Sequence, residues 1–105
     1  MYRLTVCYGK PGDPAAFDRH YAQVHIPLAR QIPGLVAFTA SHCAALDQSE
    51  PPYYWVAVLD FATEEDFRAA LGSPEMGKAV ADVPNFATGS VTVFSQALAD
   101  VLTAG

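Results

Sequence analysis

The sequence predicts an α+β domain: a four-stranded antiparallel sheet and two helical stretches, in the order β-α-β-β-α-β. Three observations carry this. Four short stretches are rich in alternating apolar, β-branched and aromatic residues, the strand signal. Between the first and second of them, apolar residues recur at helical spacing. After the third, a capping residue is followed by an acidic turn, the mark of a helix start. At 105 residues the chain has the length of one domain, expected to span 1–105 with a tail from about 96 to 105.

The first strand is expected over residues 2–8 (Tyr-Arg-Leu-Thr-Val-Cys-Tyr), broken by Gly9-Lys10-Pro11-Gly12. Its inward face is either Leu4, Val6 and Tyr8, which its apolarity favours, or Thr5 and Cys7. Asp13-Pro14 opens a helix, Asp accepting from the free amides and Pro being pre-set for the first turn. Phe17, Tyr21, Val24, Leu28 and Ile32 then form one stripe, and Pro33-Gly34 ends the helix. A second strand region runs from Leu35 to Leu46, followed by the polar loop Asp47 to Pro52. Tyr53 to Phe61 is the strongest strand signal in the chain. Thr63-Glu64-Glu65-Asp66 starts a short helix to about Leu71; Gly72-Ser73-Pro74 interrupts it, and a further helical piece runs to about Val83. Ser90 to Ser95 is the last strand. This order is the ferredoxin-like split βαβ arrangement.

In the third strand Tyr53, Trp55, Ala57, Leu59 and Phe61 alternate with Tyr54, Val56 and Val58, so both faces read as apolar. Two helical layers cover one face of such a sheet. The other face calls for a partner, and a second copy of the chain is the simplest, giving a homodimer packed sheet to sheet.

Composition narrows the function. Apolar residues make up 51% of the chain and charged residues 16%, which excludes a disordered segment. Six Lys and Arg stand against 11 Asp and Glu, a net charge of −5, and the basic residues are scattered, so neither nucleic acid nor an anionic membrane is an expected partner. There is no long apolar segment and no basic start leading into one, so a cytoplasmic protein is expected. Cys7 and Cys43 have no C-x-x-C spacing and read as free thiols.

At about 100° per residue, His25 falls just inside the edge of the helical stripe and His20 on its other shoulder. They stand one residue too far apart for ligands stacked on successive turns, so no metal is expected. Pro27 cannot donate to Gln23, which should bend or loosen the helix beside His25. An imidazole facing inward at such a break is a candidate acid/base near neutral pH, although a hydrogen-bonded core histidine fits the same pattern. Tyr8, Tyr21, His42 and Trp55 are candidate substrate-binding residues, since polar tips on apolar bodies suit a ligand pocket. No dinucleotide, phosphate-loop or nucleophile-elbow motif is present, so no cofactor is expected.

Asp13-Pro14-Ala15-Ala16-Phe17, Tyr21, His25-Ile26-Pro27-Leu28-Ala29 and Ile32-Pro33-Gly34-Leu35 together resemble the signature of the EthD family. Phe67, Ala69-Ala70-Leu71, Ser73-Pro74-Glu75 and Asp82-Val83-Pro84-Asn85-Phe86 resemble its second half. The resemblance implies a dimeric α+β barrel, two ferredoxin-like subunits packed sheet against sheet, with pockets between sheet and helices. Family members are associated with degradation of an alkyl ether and often labelled reductases, so an oxidoreductase-type or cofactor-free enzyme acting on a small apolar organic compound is implied. Of the site residues it marks His25 alone. The alternative is an accessory protein that carries a hydrophobic metabolite for an oxygenase system.

Overall fold

The computed structural model describes residues 1–103. Strands β1 (Tyr2–Tyr8), β2 (Leu35–His42), β3 (Trp55–Phe61) and β4 (Val91–Ala97) form one antiparallel sheet in the order β2-β3-β1-β4. The first crossover is α1 (Pro14–His20), a π-helical turn (Tyr21–His25) and α2 (Ile26–Ala29). The second is α3 (Glu64–Leu71), α4 (Pro74–Asp82) and a 3₁₀ turn (Val83–Asn85). The predicted element order and ferredoxin-like fold are therefore observed. β2 stops at His42 rather than Leu46, β3 starts at Trp55 rather than Tyr53, and β4 runs on to Ala97. The expected tail thus shrinks to the residues after Ala97, and its last two, 104 and 105, lie outside the described residues.

The helix starts follow from side chains that accept the free amides of the first turn. Asp13 Oδ1 accepts from Ala16 N, Thr63 Oγ1 from Asp66 N, and Ser73 Oγ from Met76 N, each at 3.1 Å. Gly34, at φ +81°, takes the left-handed conformation that turns the chain into β2.

Residues opposite one another in an antiparallel pair share a face. Leu4 opposes Leu59 and Ser95, Val6 opposes Ala57 and Val93, and Tyr8 opposes Trp55 and Val91. The core contains Leu4, Tyr8, Ala57, Leu59 and Phe61 with Phe17, Tyr21, Ala29, Phe67 and Met76 from the helices, so Leu4, Val6 and Tyr8 are the inward face of β1. The other face carries the Arg3–Asp60 ion pair (2.8 Å), Thr5, Cys7, Val56, Val58 and Phe94, the last 47% exposed. It is apolar in the middle and ionic at one end. Tyr54, expected there, lies on the helical side: its ring meets Phe17 and its hydroxyl donates to Asp18 Oδ1 (2.7 Å). It precedes the first residue of the strand, so the pleat does not fix its direction.

The stripe of the first helical stretch also differs from expectation. Phe17, Tyr21, His25, Ala29 and Ile32 face the core, whereas Val24 is 40% exposed. The π-turn is the cause. Ile26 N–H donates to Tyr21 O, five residues back, so one extra residue enters the turn and every later side chain rotates accordingly. Pro27 sits directly after it, where its missing N–H and bulky ring disfavour a regular α-turn. His25 thereby moves from the edge of the stripe into its middle.

Candidate functional site

His25 is the buried polar residue that the π-turn delivers to the core side, 6% exposed. Its Nδ1–H donates to Asp82 Oδ2 at 3.0 Å. Asp82, also 6% exposed, is the last residue of α4. Its other oxygen, Oδ1, accepts from His20 Nε2 (2.8 Å) and Asn85 Nδ2 (3.0 Å). Burial pushes the Asp82 carboxyl up, but the donors Asn85, His20 and His25 together outweigh it and leave the group below the usual carboxylate range. For His25 burial dominates over the attraction of Asp82 and pulls the imidazole below its ordinary value. The pair at neutral pH is a carboxylate holding a neutral imidazole by Nδ1–H, which leaves the Nε2 lone pair free.

His25 lines a cavity of about 400 Å³ between the sheet and the helices, within the range of small-molecule sites. Leu4, Val6, Ala57, Leu59, Met76 and Ala79 form much of its apolar wall. Tyr8 and Tyr21 line it too, their rings edge-on to each other with centroids 6.0 Å apart. Burial raises both phenols, Tyr21 to about 12, so both remain protonated donors. Three polar groups, two hydroxyls and one ring nitrogen, therefore break an otherwise apolar lining that contains no Lys or Arg. On one side it is bounded by Leu71, Val80, Val91 and Val93, all exposed.

Of the residues singled out in the sequence, Tyr8, Tyr21 and His25 meet at this cavity. Trp55 and His42 do not. Trp55 packs edge-on behind Tyr21 (5.0 Å between ring centroids), its buried Nε1 without a partner in hydrogen-bond geometry though near enough to draw the Tyr21 phenol slightly down. His42 stands at the exposed edge, its Nε2 on Asp18 (3.0 Å) and on the Tyr54 hydroxyl (3.1 Å), bordering a separate surface cleft with Lys10, Cys43 and Glu50. His42 is an edge residue because β2 is an outer strand; opposite Trp55 it lies on the helical face, packed on Trp55 and Tyr54, and does not line the cavity.

Sequence reasoning missed Asp82 and the contact of His20 with it. Both contacts span more than fifty positions, which no local spacing reveals. One signal was present. A carboxylate at a helix C-terminus opposes the helix dipole, and Asp82 continues the buried line of Met76 and Ala79, so it needs a partner of its own.

Comparison with known proteins agrees with the fold. The EthD domain model matches residues 10–90. The chain belongs to the EthD family. An uncharacterized 11.0 kDa protein of Rhodococcus erythropolis, encoded in the thcB-thcC intergenic region, is 47% identical over 93 residues, 89% of this chain and 90% of that protein. The crystal structure of an EthD family protein from Bacillus halodurans C-125 superposes with a TM-score of 0.87 at 27% identity, covering 94% and 99% of the two chains. A dimeric ferredoxin-like protein of unknown function from Thermobifida fusca (TM-score 0.70, 18% identity, 92% and 90% covered) shares the fold. So does SnoaB, a cofactor-independent oxygenase from Streptomyces nogalater (0.67, 17%, 98% and 97%). Among the described residues of this EthD-family chain, no helix is long and apolar enough to cross a membrane.

Proposed function

We propose that this EthD-family protein binds a small, largely apolar and uncharged organic molecule with a carbonyl or phenolic oxygen and moves a proton on it, with His25 as the acid/base. The observation that carries this reading is His25 itself: Nδ1 is tied to a buried carboxylate while the ring lines an apolar cavity. Asp82 holds the tautomer that presents a lone pair to the ligand. Tyr8 and Tyr21, both protonated, are the donors available to a substrate oxygen that gains charge as that proton leaves. An anionic substrate would meet no cation in the lining and would lie near the Asp82 charge, which favours a neutral compound. Enolisation, isomerisation and deprotonation of a phenol before oxygenation all begin with this step.

The assembly that fits is a homodimer. Val56 and Val58, half-buried, and Phe94, 47% exposed, leave an apolar strip along the uncovered sheet face, and a second sheet laid across it would bury that strip. A ferredoxin-like structural neighbour is described as dimeric, which supports a dimer.

The test is turnover by purified protein on a panel of neutral phenols and ketones that bind, compared with His25→Ala. A positioned acid/base contributes about 10²–10⁴-fold, so the variant should lose that much. An unchanged rate on a true substrate removes His25 from the chemistry. Tight binding with no product at all favours the accessory reading, in which the cavity carries a hydrophobic metabolite for an oxygenase system; the scarcity of polar groups in the lining is what keeps that reading in view.

A further inference from the structure

His20 and His25 stand too far apart in sequence to stack on successive α-turns, yet the π-turn between them brings both onto one carboxylate. His20 Nε2 lies 2.8 Å from Asp82 Oδ1 and His25 Nδ1 lies 3.0 Å from Oδ2. Their surroundings differ. The His25 side chain is 7% exposed and borders the cavity, whereas that of His20 is 27% exposed, with its ring against Phe86. We propose that His20 is a tuning partner of His25: from the solvent side it takes up the negative charge of Asp82, and so keeps the cavity-facing imidazole a neutral base.

One carboxylate can balance one imidazolium. With a proton on His20 the charge of Asp82 is spent, and a second proton on His25 would place two like charges across the same group where little water reaches. The other titratable groups facing His25 are Tyr21 on its own turn and Tyr8 on β1, both neutral phenols, and no Lys, Arg or Glu lines the cavity. His20 and Asp82 are thus the charges that set the state of His25 from the packed elements around it. The perturbations of His25 run in this order: burial lowers it, the Asp82 hydrogen bond and charge raise it, and the charge of His20 lowers it again. That last and smallest effect is the direct repulsion between two imidazoles that share one carboxylate. His20 is a positioning residue in this scheme, acting on the ligand only through Asp82 and His25.

The inference rests on His25 being the acid/base, and its test needs no substrate. The imidazole resonances of the free protein are followed by NMR through a pH titration, in wild type and in His20→Gln, which keeps an amide donor for Asp82 but cannot take a proton. In wild type the His25 curve should depart from single-site shape as His20 titrates, because coupled groups share their protons. In His20→Gln it should become single-site, with its midpoint raised by about 0.5–1 pH unit, a gain in proton affinity of roughly 3–10-fold. A single-site wild-type curve overturns the proposal, whether or not the variant folds. So does an unmoved or lowered midpoint in His20→Gln. Loss of the catalytic reading through an unchanged rate in His25→Ala would leave these curves as they are, so the two failures are told apart.

Discussion

Two histidine–aspartate pairs in this protein have the same chemistry and nearly the same length. His25 meets Asp82 at 3.0 Å and His42 meets Asp18 at 3.0 Å. Their environments are opposite. The side chains of the first pair are 7% and 6% exposed, those of the second 53% and 41%. In the first, each lone pair lost to burial must be satisfied by protein, and three donors surround the carboxylate. In the second, water serves as an alternative partner and screens the charges. The contact geometry alone would rank the pairs as equals. Burial decides which of them can hold a neutral base beside an apolar ligand.

The largest effect expected from breaking this contrast is at the buried hub. Asp82→Ala leaves the Nδ1–H of a buried His25 without an acceptor and strips His20 and Asn85 of theirs. A loss of about 2–4 kcal/mol in a denaturant melt is expected, since orphaned buried donors cost roughly 1–3 kcal/mol each when they cannot reach water. Asp82→Asn should lose less stability, but its amide can donate to His25 Nδ1 and so drive the ring proton to Nε2. Nitrogen chemical shifts of the imidazole read that tautomer directly. A melt of Asp82→Ala within a few tenths of a kcal/mol of wild type would mean that the hub adds little to the fold.

Next in size is the dependence of stability on pH. Because His25 sits below the ordinary histidine value of 6.5 in the folded chain, the unfolded chain binds more protons just below that pH. Its contribution is therefore complete above about 6.5 and is lost as pH falls from there toward the folded value. The slope it adds is at most ~1.4 kcal/mol per pH unit. His25→Ala should flatten this part of the profile, with melts between pH 7 and 5 as the check. Asp82 is also held below its ordinary 3.8, so its share is present above that pH and is lost only as pH falls through its folded value.

How much of this could be read from residues depends on range. Strand periodicity, the caps at Asp13 and Thr63, and the Pro33-Gly34 stop are local, and each element they mark is present. Pro27 was legible as a disturbance of the helix, but not its form: a bend and a π-turn both relieve the clash with the preceding turn. That ambiguity decides which side chains face inward, because one inserted residue exchanges Val24 for His25. It is also why the spacing of His20 and His25, read only as unsuited to a metal pair, gave no sign of the carboxylate they share. The partners of Asp82 were out of reach, since they lie on the other crossover. The difference between Trp55 and Tyr21 was equally hidden, for both are aromatic and face the helical layer, and only packing shows which of the two borders empty volume.

The smallest expected effect is at the exposed pair, and it sharpens the contrast best because the contact itself is so similar. His42→Ala removes the hydrogen bonds to Asp18 and Tyr54, yet the Tyr54 hydroxyl keeps its 2.7 Å bond to Asp18, and water reaches the oxygen that is freed. An exposed contact of this kind contributes about 0–1 kcal/mol, so the melt should move by less than roughly 0.5 kcal/mol and turnover should not change. His42 borders the surface cleft rather than the cavity of His25, which is why ligand affinity should also stay constant. A tenfold loss of affinity in His42→Ala would show that the ligand extends past Tyr21 and Trp55 to the sheet edge. The difference between the two histidines would then lie in which part of the ligand each one meets, and burial would no longer be enough to tell the catalytic one from its exposed counterpart.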